Sequence, residues 1–234
     1  MEALKSIRFG KAMNGPELTE DELNKINRQT LRPLTAEQVF AFAIDACDDQ
    51  IDRDFEHFSL SALKAFSGLF VGKTVIFDHD WSAKNQTARI YDAAVIEKSG
   101  AHCLRLNAYM LKNDKTASVI EAICGGILRE VSVGVAVGEC RCDICAADFR
   151  TCGHDKGQTY GGKVCTVTLD AAVDAYEMSF VAVPAQKNAG VVKSANVSIF
   201  QDDFEKLKIL RKNELALIDE EEKSIQKIQE ELAK

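Results

Sequence analysis

The stretch EVSVGVAVG at 130–138 sets valines 131, 133, 135 and 137 on one face and Ser132, Gly134 and Ala136 on the other. A two-residue period with β-branched residues on one side is the pattern of a β-strand. The small residues on its second face leave room for another backbone to approach. Outward from this strand, QVFAFAID (38–45), TVIFD (74–78), TARIYDAAVIE (87–97) and CLRLNAYML (103–111) predict further strands. VCTVTL (164–169) and YEMSFVAV (176–183) predict two more, the last ended by Pro184.

Helices are predicted at three places. Thr19 with Glu22 three residues on forms a capping box, opening a short helix that runs to about Asn27. Ser59 opens a second, whose Leu60, Leu63, Phe66 and Phe70 fall at helical spacing before Gly72 stops it. A third over 115–124 buries Val119, Ile120 and Ile123 and ends at Gly125-Gly126. Many short strands, few helices and no βαβ repetition make the chain mainly β with flanking helices (α+β). The predicted architecture is a closed or nearly closed β-barrel rather than a doubly wound sheet.

The 234 residues suffice for one domain with extensions. Apolar content of 46% and charged content of 28% suit a soluble globular protein. A net charge of −7 argues against nucleic acid as partner, because a phosphate-binding face needs a basic surplus. No apolar run nears the ~20 residues that span a bilayer, so no membrane association is expected. The first 15 residues, broken by Lys5, Arg8 and Lys11, lack a secretory apolar core, and the protein is expected to stay where it is made. Residues 201–234 differ in kind: free of Gly and Pro and rich in Glu and Lys, they read as a C-terminal amphipathic helix that packs on the domain or a partner. Phe204, Ile218, Ile225 and Leu232 keep a seven-residue repeat there that Arg211 interrupts.

Three strings hold the makings of nucleophilic catalysis: FDHD (77–80) with His79, REVSVG (129–134) with Ser132, and YEMSFVAVPA (176–185) with Glu177. A serine hydroxyl attacks carbonyls only when a base takes its proton, and that base works best when an acid fixes its tautomer. Each residue also has a plainer use. A histidine past a strand end serves as a surface or capping group, and a strand serine bonds a backbone carbonyl. A mid-strand glutamate must be paired, by histidine or by arginine. Asp78 and Asp80 flank His79 but by alternation point away from it, which makes them second choices as the orienting acid. No residue pattern assigns the oxyanion-hole amides.

Five of the eight cysteines (140, 142, 145, 152 and 165) lie within 26 residues. Cys142-x2-Cys145 followed by Cys152-Gly153-His154 supplies three thiolates and an imidazole, the donor set of a tetrahedral zinc site. With four protein ligands such a Zn2+ is structural, and Cys140 and Cys165 are substitute ligands or a redox pair. The other three cysteines (47, 103 and 124) sit in apolar segments and read as buried thiols.

Longer strings around the three catalytic candidates resemble the prohead maturation proteases of tailed bacteriophages, relatives in fold of the herpesvirus assemblins. They are IDRDFEHFSLSALKAF (51–66), GKTVIFDHD (72–80), GGILREVSVGVAV (125–137) and DAYEMSFVAVPAQKNAGV (174–191). The resemblance covers roughly residues 35–193, leaving 1–34 as an N-terminal extension. It departs from the shorter members in the cysteine-rich insertion, 139–165. It implies a serine endopeptidase with Ser132 as nucleophile, His79 as base and Glu177 as orienting acid. It further implies that the substrates are extensions of the scaffold or major capsid protein, and the protein itself, in the host cytoplasm or inside the immature capsid, with self-association of the enzyme. Two other readings remain: an inactive protease-fold scaffold or assembly factor, and a zinc-binding interaction module.

Overall fold

The strand pattern of the sequence takes shape in a computed structural model of the protein, which describes residues 18–192. The N-terminal 17 residues and the helix read over 201–234 lie outside the described residues. The helices are α1 (Glu20–Asn27), α2 (Leu60–Phe70) and α3 (Ala117–Cys124). The strands are β1 (Val39–Asp48), β2 (Glu56–Phe58), β3 (Thr74–Phe77), β4 (Ala88–Lys98) and β5 (Ala101–Leu111). They continue with β6 (Val131–Cys142), β7 (Thr159–Tyr160), β8 (Lys163–Val164), β9 (Val167–Phe180) and β10 (Gly190–Val191). The fold is mainly β with few helices. No helix among the described residues is long and apolar enough to cross a membrane.

The expected caps form. Glu22 N–H donates to Thr19 Oγ1 at 3.2 Å while Thr19 N–H donates to the Glu22 carboxylate at 3.0 Å, a reciprocal capping box. Ser59 accepts from Ala62 N–H and starts α2. That helix buries Ala62, Leu63, Phe66 and Phe70 against the sheet, with Phe58 of β2 edge-on to Phe66 at 5.6 Å. Burying each phenyl ring stabilises the fold by about 1.5–3 kcal/mol, so this one face anchors α2. At the other side of the core, Phe180 stacks on Phe77 (5.7 Å) and Phe42 (6.1 Å) and ties β9 to β3 and β1.

The main sheet runs β10-β1-β5-β4-β3-β9-β2, with β6 paired to β9 off that path. Because β6 follows β9 along nearly its whole length, β2 and β3 share the opposite edge of β9, both parallel to it. The closed barrel expected from the sequence is not found. Among the described residues β6 has no second ladder: Glu130, just before it, bridges Gly190, and near its C-terminal end Arg141 bridges Asp148 and the Arg150 guanidinium donates to Gly138 O. Two register shifts, between Gly134 and Val135 and between Ala136 and Val137, bend β6. Such bulges bend the strand and increase its local twist.

Three further expectations are corrected. The strands read at 164–169 and 176–183 are one, β9, because pairing with β6 carries the chain straight through Asp170 and Asp174. The strict alternation of Val131–Val137 is interrupted by the same bulges, and Val133, Val135 and Val137, which line a cleft, are only half-buried. Cys47 and Cys103 are buried as expected, but Cys124 at the end of α3 is exposed.

Candidate functional site

His79 is delivered by β3. The strand ends at Phe77, after which Asp78 and His79 both take left-handed backbone, with φ of 52° and 53°. Residues other than glycine hold such backbone at a cost of about 1–3 kcal/mol each, and only where neighbours enforce it. Asp78 N–H donates to Phe180 O, Asp80 N–H to Phe77 O, and His79 N–H to Ser179 Oγ, all at 3.0 Å. Alternation does not order the three residues 78–80, since the strand has already ended, and all three are exposed.

The other two candidates come from the paired strands. Ser132 stands opposite Ser179 and Gly134 opposite Glu177 in the β6–β9 ladder, while Glu177 also registers with Thr74 of β3. Glu177 is 2% exposed and takes two hydrogen bonds, from His79 Nδ1 at 2.7 Å and from Ser179 Oγ at 2.6 Å. A carboxylate accepts only, so the imidazole presents Nδ1–H to it and keeps the Nε2 lone pair free. Gly134 makes this placement sterically feasible. A Cβ there would lie 2.3 Å from Glu177 Oε1, so any side chain would displace the carboxylate. His79, Ser132 and Glu177 line one cleft of about 670 Å³. Ser132 Oγ makes no hydrogen bond among the described residues, and Ser132 and Gly134 line the cleft together with Val133, Val135 and Val137.

The cysteine cluster assembles beside this cleft. The ligand atoms of Cys142, Cys145, Cys152 and His154 all lie within 4.8 Å of one another, and Cys142 Sγ is 3.7 Å from His154 Nδ1. A tetrahedral zinc with bonds of about 2.0–2.3 Å needs ligand separations of roughly 3.5–3.8 Å; the Cys142–His154 pair meets this, and the quartet as a whole is close enough that it could hold a metal ion. Burial opposes the Cys142 thiolate. The backbone N–H groups of Cys145 and Ile144, with the Cys145 and Cys165 thiols, outweigh burial and bring its pKa down to about 6. Cys165, 3.8 Å from Cys142, is pushed up to about 11 by burial and by that neighbour, so of the two it keeps the proton. Cys140 lies on the cleft wall instead of in the quartet.

No family model, curated protein or solved structure matches the chain. The phage-protease resemblance therefore rests on the sequence strings, and the chemistry rests on the geometry above.

Three contributors escaped the sequence reading. Ser179 shares a face with Glu177, a visible signal, but its bridge between that acid and the His79 amide needs the β3–β9 register. Asp143, inside the Cys-x2-Cys turn, is fastened to the body of the fold by Thr168 Oγ1 (2.7 Å), Thr166 and His57 Nε2 (3.1 Å). Nothing in the local sequence marks that anchor. The third, Gln186, lines the cleft.

Proposed function

We propose that the protein is a serine endopeptidase of viral prohead maturation, cleaving extensions of scaffold or capsid protein and cleaving itself. The observation that carries this reading is the 2.7 Å hydrogen bond from His79 to a buried Glu177, in a cleft that Ser132 also lines. Ser132 Oγ attacks the scissile carbonyl carbon as its proton passes to His79 Nε2. The tetrahedral intermediate expels the amine, which takes that proton. Water, deprotonated by His79, then attacks the acyl carbon, and Ser132 Oγ leaves with that proton, regenerating the free serine and the neutral imidazole. Glu177 holds the imidazole in the required tautomer and offsets its charge when protonated. The outer edge of β6 over Val131–Val137, which has no backbone partner among the described residues, supports a polypeptide substrate, because free backbone N–H and C=O groups suit an extended chain. A fluorophosphonate probe tests the chemistry directly. It should label Ser132 and no other serine, and absence of labelling would favour the inactive scaffold reading instead.

The Cys142, Cys145, Cys152 and His154 quartet holds one Zn2+ per chain in this reading, in a structural role. All four positions around such an ion are protein ligands, so it supplies local folding energy rather than a reactive water. Chelation should speed hydrogen exchange across 139–165 while β1, β4 and β5 stay protected, and cleavage should fall far less than on loss of Ser132. Metal analysis finding under about a tenth of an equivalent of zinc in purified protein would remove the site, since such ligand sets bind tightly.

A further inference from the structure

Residues 52–56 close on themselves as a turn, and Asp52, Asp54 and Glu56 of it line the cleft that holds Ser132 and His79. Asp52 N–H donates to Glu56 O at 2.9 Å. The Asp52 carboxylate accepts from the N–H groups of Asp54 (2.8 Å) and Glu56 (2.9 Å). Two tethers fasten the turn to the body of the fold: Arg53 N–H donates to Ala185 O at 3.1 Å, and Glu56 pairs with Val167 at the start of β9. Between them, Phe55 takes left-handed backbone with φ of 59°. A residue other than glycine keeps that conformation only where neighbours enforce it.

One such neighbour is Val167, whose N–H donates to Phe55 O at 2.9 Å; the others belong to the cysteine-rich insertion. A Cβ at Gly157 would lie 2.7 Å from the Phe55 ring, so the ring packs directly on the glycine backbone. Lys156 Nζ donates to the Glu56 carboxylate at 2.7 Å. Both residues closely follow His154, a predicted metal ligand, and their loop is closed on Cys165. Gly157 N–H donates to Cys165 O at 2.9 Å, and Cys165 N–H donates to Gln158 O at 2.8 Å. Cys165 Sγ lies 3.8 Å from Cys142 Sγ, a second predicted ligand. Tyr160 meets the His154 ring edge-on at 4.5 Å, and its hydroxyl accepts from Asp155 N–H at 3.0 Å. The insertion also contributes Cys140 to the cleft directly. An unbroken run of contacts thus joins the metal-binding quartet to the turn at 52–56.

We propose that the insertion positions the 52–56 side of the cleft, so that metal loading at Cys142, Cys145, Cys152 and His154 sets the affinity of the cleft for polypeptide. The polypeptide ligand rests on the endopeptidase reading; the contacts that hold the turn do not. Lys156 and Gly157 are positioning residues, and Phe55 and Glu56 are what they position. Two sites coupled through such contacts typically alter each other's affinity by a factor of about 5 to 150. The effect falls on binding and spares turnover, because His79, Ser132 and Glu177 are held by the register of β3, β6 and β9.

Three samples separate the metal from the contacts: zinc-loaded protein, the same protein after chelation, and a zinc-loaded Phe55→Ala/Lys156→Met variant. The variant removes both contacts and touches no predicted ligand; Lys156→Met alone, read the same way, serves if the pair folds poorly. On the fastest-cleaved peptide of a pooled, internally quenched library, KM should rise about 5- to 20-fold on chelation and in the variant, with kcat little changed. Amides of residues 52–56 should exchange faster in both than in zinc-loaded wild type, while the variant keeps its zinc. Anisotropy of a fluorescein-tagged copy of the library on the Ser132→Ala protein, loaded and chelated, reads binding apart from cleavage. Metal-dependent binding without any cleavage would uphold the proposal and sink the protease reading. Normal cleavage with equal KM and equal binding, with or without zinc, would overturn the proposal and leave the protease reading standing. Exchange at 52–56 that chelation leaves unchanged would overturn it whatever the activity. Chelation that weakens binding while the variant binds normally would overturn it too, since the coupling would then bypass Phe55 and Lys156. So would a loss confined to kcat, a protein that takes up no zinc, or no peptide binding in any form.

Discussion

Ser132→Ala is expected to abolish self-cleavage and the cleavage of a co-expressed scaffold or capsid protein, with the fold intact. Removal of a serine nucleophile lowers turnover by up to about 10⁶-fold in an unrelated protease, and a loss of at least roughly 10³-fold is expected here. The structure explains why stability should be spared. Ser132 Oγ has no hydrogen-bond partner among the described residues, so its deletion strands no other group, and a half-buried strand position accepts alanine. His79→Ala should cost as much, and the double variant no more than either alone, since the two side chains act as one unit. Intact-mass spectrometry of wild type and variant, each purified after co-expression with substrate, reads the result. The same fragments from both proteins would end the assignment of Ser132.

The helices and most strands were legible because their signals are local. Thr19 with Glu22, and Ser59 before an apolar face, each specify a cap within four residues. The two-residue period of β6 likewise marks a strand whatever surrounds it. What escaped depends on distant partners. β9 reads as two strands because Asp170 and Asp174 look like a loop, and only the long pairing with β6 keeps the strand whole. The bulges in β6 are set by the fit of two strands, which no single stretch encodes.

The candidate site divides in the same way. His79, Ser132 and Glu177 stand out by residue type and flanking strings, and the cluster of three cysteines with His154 by spacing. The features that make the arrangement work physically are all long-range. Gly134 reads as a small neighbour of Ser132, yet its consequence is the room it leaves for the Glu177 carboxylate, 43 positions along the chain. The left-handed turn at Asp78-His79 has no glycine to announce it and is held by Phe180 and Ser179 from another strand.

Glu177→Gln should lower kcat/KM by roughly 10- to 10⁴-fold, the upper end being the effect of the comparable change in an unrelated protease. Both oxygens of Glu177 now accept, one from His79 Nδ1 and one from Ser179 Oγ. An amide has one acceptor oxygen. With that oxygen toward His79 the tautomer survives and only the charge opposing the imidazolium is lost, a smaller effect. With the NH2 toward His79 the ring must present a lone pair at Nδ1, the proton moves to Nε2, and the base is lost. Gly134→Ala separates position from charge: its Cβ would collide with Oε1 and swing the carboxylate off Nδ1 while the charge remains. It should therefore impair cleavage comparably, and a rate well above that of Glu177→Gln would show that charge near the ring matters more than the bond. Soluble yield, melting temperature and initial rate measured on the same preparations distinguish catalysis from a structural pair. A structural pair predicts poor folding with near-normal activity in what folds, the reverse of the expected pattern. A well-folded Glu177→Gln enzyme of undiminished rate would remove Glu177 from the site. It would leave the acid role to Asp78 or Asp80, both exposed and neither bonded to the His79 ring.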